Sequence, residues 1–344
     1  MQEVDRSLPL GRIASAADVA ERAGVSRQTV SRVVNGSPKV SGKTRERVLA
    51  AMDELGFRPN FAGTALRGGT YRSIGLCMYD ITRAGNLATL EGIMQAARER
   101  DFAVTMIEMG GTAPFSLAEA SRRMIERPID GMIINMNRMA PDFDGFRPQP
   151  GVKTVILSMY AHPCCTTVDS DQYGSGELVV NHLLERGHTR IRFVAGPEGS
   201  VASAFREAGW RDTLERAHVE AATVLHGDWT ADSGYEAGTR VAEEIRSGAP
   251  DAPTAVFAAN DQMAFGVMTA LEDAGLSVPE DVSVVGIDDA LQGVVPHNRL
   301  TTVRFNLSEN GRLAFEAAVG EHAAIEAIRL PSTLVERATV ADRR

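Results

Sequence analysis

The stretch AGVSRQTVSRVVN, residues 23–35, places two arginines, a glutamine and an asparagine around a short apolar run. Gly24 interrupts a helical pattern, and Ser26 stands where it can cap a second helix. Val30 and Val33 recur at helical spacing, so we expect them to face a core while their polar neighbours face outward. Two short helices joined at a glycine form a helix-turn-helix.

The outward side chains of this motif suit contact with DNA. Arginine can bind the edge of guanine with two hydrogen bonds, and glutamine can bind adenine in the same way. Hydroxyl and amide side chains suit phosphate oxygens, which position a protein without reading sequence. The alternative is a small three-helix bundle whose polar face is only solvated. The residues predicted to contact DNA here are Ser15, Ser26, Arg27, Gln28, Thr29, Ser31, Arg32 and Asn35.

The residues around the motif complete a small helical domain. Ser15 can cap the first helix, and a third helix is predicted from a Ser41 cap to Gly56. Its apolar side is expected to carry Val48, Leu49, Met52 and Leu55. We therefore predict a DNA-binding domain over residues 12–58, followed over residues 59–72 by a linker that can become a short helix.

Charge is distributed unevenly along the 344 residues, whose formal net charge is −9. Residues 1–72 contain 12 Lys/Arg and 7 Asp/Glu, whereas residues 73–344 contain 24 Lys/Arg and 38 Asp/Glu. A basic first part on an acidic remainder indicates that only the first part seeks a polyanion.

The remainder of the chain alternates short apolar runs with amphipathic segments, which predicts a parallel sheet covered on both faces. About 270 residues exceed one compact sheet of this kind, so we expect two lobes with a ligand cleft between them. The expected lobes are residues 73–160 plus 290–320 and residues 161–289 plus 321–340. The predicted strands cover residues 74–78, 104–107, 132–134, 154–157, 191–195, 255–258 and 282–287, and the predicted helices cover residues 87–100, 176–186, 204–217, 233–247 and 261–274.

Several classes of protein are disfavoured. No apolar run reaches the roughly 18 residues of a membrane span, and no signal-peptide pattern opens the chain, so we expect a cytoplasmic protein without a membrane partner. The three cysteines, Cys77, Cys164 and Cys165, form no metal-binding spacing, so neither metal nor cofactor is expected. Nucleotide-binding and hydrolase motifs are also absent from the sequence, which argues against an enzyme.

The segment ADVAERAGVSRQTVSRVVNGSPKVSGKTRERVLAAMDELGFRPN closely resembles the DNA-binding head of the LacI/GalR family of bacterial transcriptional regulators. The later segments HLLERGHTRIRFVAGP, GWRDTL, GDWTADSGYEAG, AVFAANDQMAFGVMTALEDAGLSVPEDVSVVGIDD and LTTVRFN resemble the effector-binding core of that family. The resemblance extends over roughly residues 14–340. It implies a small all-α helix-turn-helix head and an α/β two-lobed core like that of periplasmic binding proteins.

The resemblance also assigns a role to the linker. In this family the linker forms a hinge helix when two copies meet over the operator, and a leucine inserts into the minor groove, where Leu66 would act here. The family often has Ala-Arg where this chain has Gly63 and Thr64. Glycine inside a helix costs about 1 kcal/mol relative to alanine, so we expect a hinge helix that is unfolded without DNA.

The effector cleft can be mapped in the same way, with Arg206 holding ligand hydroxyls or a carboxylate and Trp229 stacking on the ligand. Simpler interpretations exist: Asp261 could cap a helix, Trp229 could be a core residue, and Arg206 could pair with an acidic neighbour on its helix. The residues predicted to bind effector are Asp80, Asn135, Arg206, Trp229, Asn260, Asp288 and Phe305.

The function implied is a repressor of carbohydrate-utilisation genes that binds palindromic operator DNA as a homodimer and is released by a small sugar-like effector. The chain departs from the family after Asp80, where RAGN at residues 83–86 replaces the usual Asn-Pro-aromatic-aromatic run. Two alternatives stay open: a regulator co-repressed by a non-sugar metabolite, and a solute-binding protein without a DNA role. The C-terminal segment has no leucine heptad, so a dimer is the simplest assembly.

Overall fold

The computed structural model describes residues 14–34, 37–57, 69–109, 116–320 and 324–343. The chain divides into two compact units, Met1–Tyr71 and Arg72–Arg344. Asn35 and Leu66, predicted to contact DNA, and Gly63 in the linker lie outside the described residues.

The first unit contains three helices, α1 (Ala16–Ala23), α2 (Arg27–Val34) and α3 (Gly42–Glu54). The side chain of Ser15 caps α1 in a capping box with Asp18. Gly24 ends α1 with φ +61°, a left-handed conformation that glycine adopts without strain. The core of this unit is formed by buried Val19, Ala20, Ala23, Val30, Val33, Val48 and Ala51.

The prediction for one core residue of this unit is wrong. Leu49, expected on the apolar side of α3, is 49% exposed, and the buried positions of that helix are Val48 and Ala51. Residues three apart share a helix face, so burying Val48 and Ala51 turns Leu49 away from the core.

Two six-stranded sheets form the second unit. The first sheet has the order β11-β5-β4-β3-β1-β2 and the second β12-β10-β9-β8-β6-β7, and every pair is parallel except the antiparallel pair β10–β12. The strands are β1 (Ser73–Met78), β2 (Ala103–Glu108), β3 (Gly131–Asn135), β4 (Lys153–Leu157), β5 (Thr166–Ser170), β6 (Ile191–Ala195), β7 (Leu225–His226), β8 (Ala255–Ala258), β9 (Ser283–Ile287), β10 (Thr301–Arg304), β11 (Ala327–Leu330) and β12 (Thr333–Val335).

Seven helices lie along this unit within the residues that the structure describes. They are α4 (Ala84–Glu99), α5 (Leu117–Ile125), α6 (Gln172–Glu185), α7 (Val201–Arg216), α8 (Ala231–Arg246), α9 (Asp261–Asp273) and α10 (Leu307–Val319). Apolar residues of the strands are buried against these helices, and one large core fills the second lobe. No described helix is long and apolar enough to cross a membrane.

The expected limits of the two lobes need correction at three strands. β5 and β11 pair with each other in the first sheet, although residues 161–170 and 327–330 were assigned to the second lobe. β10 joins the second sheet, although residues 290–320 were assigned to the first lobe. The chain crosses between the sheets after β5, after β10 and after β11, and sheet pairing rather than chain order decides membership.

Candidate functional site

A cavity of about 320 Å³ lies between the two lobes. Its walls come from residues that follow or end strands, among them Asp80 after β1, Asn135 at the end of β3, Asn260 after β8 and Asp288 after β9. The carboxyl ends of parallel strands are where ligands bind in folds of this kind. The cavity is large enough for a small molecule.

Arg206 occupies the wall that the second lobe provides, and only 5% of its surface is exposed. Its Nε donates to Gln172 Oε1 at 2.9 Å, its Nη2 donates to Asp288 Oδ1 at 3.3 Å, and its Nη1 donates to the carbonyl of Ala259. The guanidinium carbon lies 5.6 Å from the ring centroid of Trp229 and 5.2 Å from that of Phe305. Arg206 is thus positioned by contacts on every side, and its pairing with an acidic neighbour on its own helix is not observed.

Two adjacent aspartates after β9 have different surroundings. Burial raises the pKa of Asp288, and the charge of Arg206 opposes that shift. Asp289 instead pairs with Arg304 and Arg337, each at 2.6 Å. The two carboxyls follow β9 with φ of +109° and +53° and bind different partners.

Trp229 lies in a strained backbone conformation, with φ +77°. The carbonyl of Trp229 accepts a hydrogen bond from Asn260 Nδ2 at 3.0 Å, and the same amide group reaches Gln262 Oε1 at 2.9 Å. Asn260 Oδ1 accepts from the backbone N–H of Met263 and so caps α9, the role that the sequence left open for Asp261. The amide of Asn260 is therefore largely engaged in holding the Trp229 loop.

Asp261 lies behind the cavity wall and is fully buried. It accepts hydrogen bonds from the hydroxyl of Thr302 and from the backbone N–H of Ala290, the latter at 2.8 Å. Burial raises the pKa of Asp261 to about 8, and the neighbouring carboxyls of Asp288 and Asp289 act in the same direction. This carboxyl connects α9 with β10 and with the segment that follows β9.

The first lobe contributes a turn held by amides. Asn86 Nδ2 donates to the carbonyls of Tyr79 and Asp80, each at 2.8 Å, and Asn135 Nδ2 donates to Asn86 Oδ1 at 2.9 Å. The carboxyl of Asp80 accepts from Arg83 Nε at 2.8 Å within the same turn. The residues that replace the family's usual run after Asp80 therefore form the turn themselves.

Among the wall residues of the cavity that were not predicted from the sequence are Asp169 on β5, Gln172 at the start of α6 and Asn310 on α10. Gln172 Nε2 donates to Asp169 Oδ1 at 3.2 Å while its Oε1 accepts from Arg206. Burial raises the pKa of Asp169 to about 6. The available signal was polar residues at inward-facing positions, but neither β5 nor α10 was predicted, so their faces were not assigned.

The cavity wall contains six of the seven residues predicted to bind effector: Asp80, Asn135, Arg206, Trp229, Asn260 and Asp288. Phe305 is the exception, since it is 6% exposed and lies against the guanidinium of Arg206 rather than on the wall. It backs the arginine through a cation–π contact. Among the described residues no cluster of His, Cys, Asp and Glu could hold a metal ion.

The first unit presents the polar residues of the motif at its surface. Ser26, Arg27, Gln28 and Arg32 are exposed, whereas Thr29 and Ser31 are half-buried. Ser26 Oγ accepts from the backbone N–H of Thr29 at 3.1 Å and thus caps α2. Within residues 14–34 and 37–57, neither Arg27 nor Arg32 makes an ion pair, whereas Arg22 of α1 binds Glu54 of α3. The side chains of Arg27 and Arg32 thus form an exposed cationic surface on α2.

Comparisons with known proteins agree with both units. Residues 16–60 match bacterial regulatory proteins of the lacI family, and residues 180–340 match the periplasmic binding protein-like domain. The chain is 32% identical over 330 residues to the lactose operon repressor of Escherichia coli (strain K12), which covers 94% of this chain and 89% of that repressor.

Solved structures show the same similarity. The Lac repressor dimer bound to operator and the anti-inducer ONPF has a TM-score of 0.81 and 30% identity, covering 96% of this chain and 100% of that one. The complex of the transcriptional regulator CelR with cellobiose has a TM-score of 0.67 and 30% identity, covering 95% and 99%.

A helix-turn-helix unit joined to a two-lobed core with an interlobe cavity defines a class, the DNA-binding transcriptional regulators with a periplasmic-binding-protein-like ligand domain. Within that class, this chain belongs to the lacI family of bacterial regulatory proteins. The predicted fold class and the predicted family are confirmed.

Proposed function

We propose that the chain is a homodimeric repressor of carbohydrate-utilisation genes, which binds a palindromic operator and releases it when a sugar occupies the interlobe cavity. The observation that carries the proposal is Arg206, fixed in the cavity wall by Gln172 and Asp288 beside the ring of Trp229. Relatives with similar folds are named as a repressor of the lactose operon and as a regulator in complex with cellobiose.

The chemistry of the cavity favours a hydroxylated ligand. Remaining N–H groups of Arg206 and the carboxyl of Asp288 offer a donor and an acceptor side by side. An indole ring such as that of Trp229 supplies an apolar plane against which the C–H face of a sugar can pack. The wall carries Arg83, Arg138, Arg206, Asp80, Asp169, Asp228 and Asp288, a nearly balanced set of charges that suits a neutral ligand.

The proposed DNA contacts follow from α2. Arg27, Gln28 and Arg32 would read base edges, and the hydroxyls of Ser15, Ser26, Thr29 and Ser31 would bind phosphates. Asn35 is assigned to phosphate contact from its amide side chain, and Leu66 is assigned by resemblance alone. Two heads of a dimer would meet half-sites about one helical turn, roughly 34 Å, apart. The protein would act in the cytoplasm as a binding protein rather than as an enzyme.

The DNA half of the proposal is tested by selecting bound duplexes from a randomised pool with the full chain at fixed salt, because phosphate contacts make affinity depend on salt. A palindromic consensus with half-sites one turn apart is expected. Selection of unrelated sequences would contradict the proposal.

The ligand half is tested by calorimetry with lactose, cellobiose, D-galactose and D-glucose. At least one sugar is expected to bind the wild type, and Trp229→Ala is expected to weaken that binding through loss of the apolar plane. Asp251→Asn serves as the control, because Asp251 is exposed and does not line the cavity. Absence of binding by all four sugars would contradict a carbohydrate effector of this kind.

A further inference from the structure

Asn310 is a buried amide in the cavity wall whose hydrogen bonds are only half made. It is 3% exposed and lies on α10, on the side of the cavity that the first lobe provides. Its Nδ2 donates to Ser170 Oγ at 2.8 Å. Its Oδ1 has no hydrogen-bond partner among the described residues. A buried acceptor without a partner lowers stability, so such a group in a ligand cavity points to a donor that arrives with the ligand.

Asp169 is a second acceptor beside it. Its Oδ1 accepts from the backbone N–H of Ser170 at 2.7 Å and from Gln172 Nε2 at 3.2 Å. Its Oδ2 accepts no hydrogen bond from any residue of the described segments. Ser170 links the pair, since its N–H binds Asp169 and its hydroxyl binds Asn310. Both acceptors therefore lie on the cavity wall and are joined through Ser170, and Gln172 connects Asp169 to Arg206.

We propose that Asp169 and Asn310 form a two-acceptor subsite for neighbouring hydroxyl groups of the sugar, an inference that rests on the proposed function. One hydroxyl donates to Asp169 Oδ2 and the next donates to Asn310 Oδ1. The subsite would decide which sugars bind, because a ligand that lacks a hydroxyl there leaves buried acceptors unpaired. Arg206 and Trp229 would hold the sugar from the second lobe, so a bound sugar would connect both lobes.

The unpaired oxygens of Asp169 and Asn310 do not stabilise the fold. Within the described residues, Asp169 Oδ1 accepts from Ser170 and Gln172, and Asn310 Nδ2 donates to Ser170. The second oxygen of Asp169 and the oxygen of Asn310 have no such hydrogen bond. A leucine at position 310 would fill a similar volume without the unpaired oxygen. If Ser170 is changed to alanine at the same time, no hydroxyl is left without its partner.

The experiment compares the wild type, Asn310→Leu, the double variant Ser170→Ala/Asn310→Leu, and Asn181→Leu as a matched control on the exposed face of α6. Calorimetry with whichever of lactose, cellobiose, D-galactose and D-glucose binds the wild type gives Kd, and thermal unfolding without sugar gives Tm. Kd is expected to be about ten-fold or more weaker for both position-310 variants and unchanged for the control, because a buried hydrogen bond to the sugar is lost. The Tm of the double variant without sugar is expected to equal or exceed that of the wild type.

A pH series with Asp169→Asn adds a readout that a purely structural residue would not change. An ionised carboxylate accepts a hydrogen bond from a hydroxyl group better than a neutral carboxyl does, so wild-type affinity is expected to rise from pH 5 to pH 7 as Asp169, which faces the charges of Arg206 and Arg329, ionises. The rise is expected to be smaller in Asp169→Asn, because the contribution of this carboxyl is removed. If the wild type binds the sugar and the position-310 variants have the same Kd, this inference is overturned. A lower Tm without sugar as the sole effect of those variants would overturn it as well. Either result leaves the proposed function standing. A wild type that binds none of the four sugars would overturn both.

Discussion

Individual residues in the cavity divide into those that are engaged with protein and those that are left for a ligand. Asp80 and Asn260 were predicted to bind effector, but Arg83 occupies the first, and the Trp229 carbonyl, Gln262 and Met263 N–H occupy the second. Residue identity and strand-end position could be predicted from the sequence. The sequence could not predict which oxygen atoms already have a hydrogen-bond partner, because the partners come from residues far away in the chain.

Gly196 provides the space in which the ring of Trp229 lies. A Cβ at this position would come within 2.4 Å of the indole, so Gly196→Ala must displace the ring. We expect weaker sugar binding and a shifted Trp229 fluorescence, with Trp210 fully buried elsewhere as the second of the two tryptophans. Gly145→Ala is the control, since its Cβ would meet nothing closer than 3.9 Å. Unaltered emission and affinity in Gly196→Ala would refute this role.

Asp261 makes stability depend on pH. Its pKa is raised to about 8, whereas an unfolded carboxyl titrates near 3.9, so the folded state holds the extra proton between these values. The free energy of unfolding therefore falls as pH rises through that window. Asp261→Asn removes this contribution and keeps two hydrogen bonds, since the hydroxyl of Thr302 can reverse its direction.

We expect the stability of Asp261→Asn relative to the wild type to increase steadily from pH 5 to pH 8 in urea unfolding. Asp251→Asn, an exposed control, should show no such trend. A constant difference across this range would show that Asp261 is ionised throughout.

The helix α2 carries the side chains with which the first unit is expected to read DNA. Its buried valines and exposed cationic face follow from sequence spacing, which is why this helix was predicted with little error. The second unit was predicted less completely. β7 has two residues and β12 has three, too few for a periodic pattern, and β5 and α10 carry polar residues toward the cavity.

Arg27→Ala is expected to relax the preference for one base pair of the selected operator by about 1–3 kcal/mol. Arg22→Ala removes a cation of the same unit that is bound to Glu54, so it should affect stability of the head and leave the base preference intact. Both are measured by fluorescence anisotropy on operator duplexes with single substitutions. An equal loss on every sequence from Arg27→Ala would identify it as a phosphate contact.

A seam of contacts joins the two lobes of the second unit. Val201 is buried in the apolar core of the first lobe, its N–H donates to the carbonyl of Asn137 at 3.0 Å, and Arg138 and Ser200 form an antiparallel bridge. The rings of Tyr160 and Phe205 lie 4.9 Å apart beside it. The lobes were predicted, but their limits were not, because strand exchange between two sheets leaves no local signal in the chain.

The seam can be locked with a disulfide. Residues paired across an antiparallel bridge have Cα atoms about 4.5–5.5 Å apart, which suits the bond between cysteines in Arg138→Cys/Ser200→Cys. We expect the oxidised variant to bind operator with an affinity that sugar no longer changes, and the reduced variant to respond. An oxidised variant that responds as fully as the reduced one would show that the lobes need not separate at this seam.

Sugar bound in the cavity of the second unit is expected to control DNA binding by the first unit. The direct measurement is the operator affinity of the wild type, by fluorescence anisotropy at fixed salt, with and without a saturating concentration of the sugar that calorimetry identifies. A coupling free energy of about 1–3 kcal/mol is typical between such sites, so we predict that sugar weakens operator binding roughly 5- to 150-fold. An operator affinity that is unchanged while the sugar is bound would contradict the account.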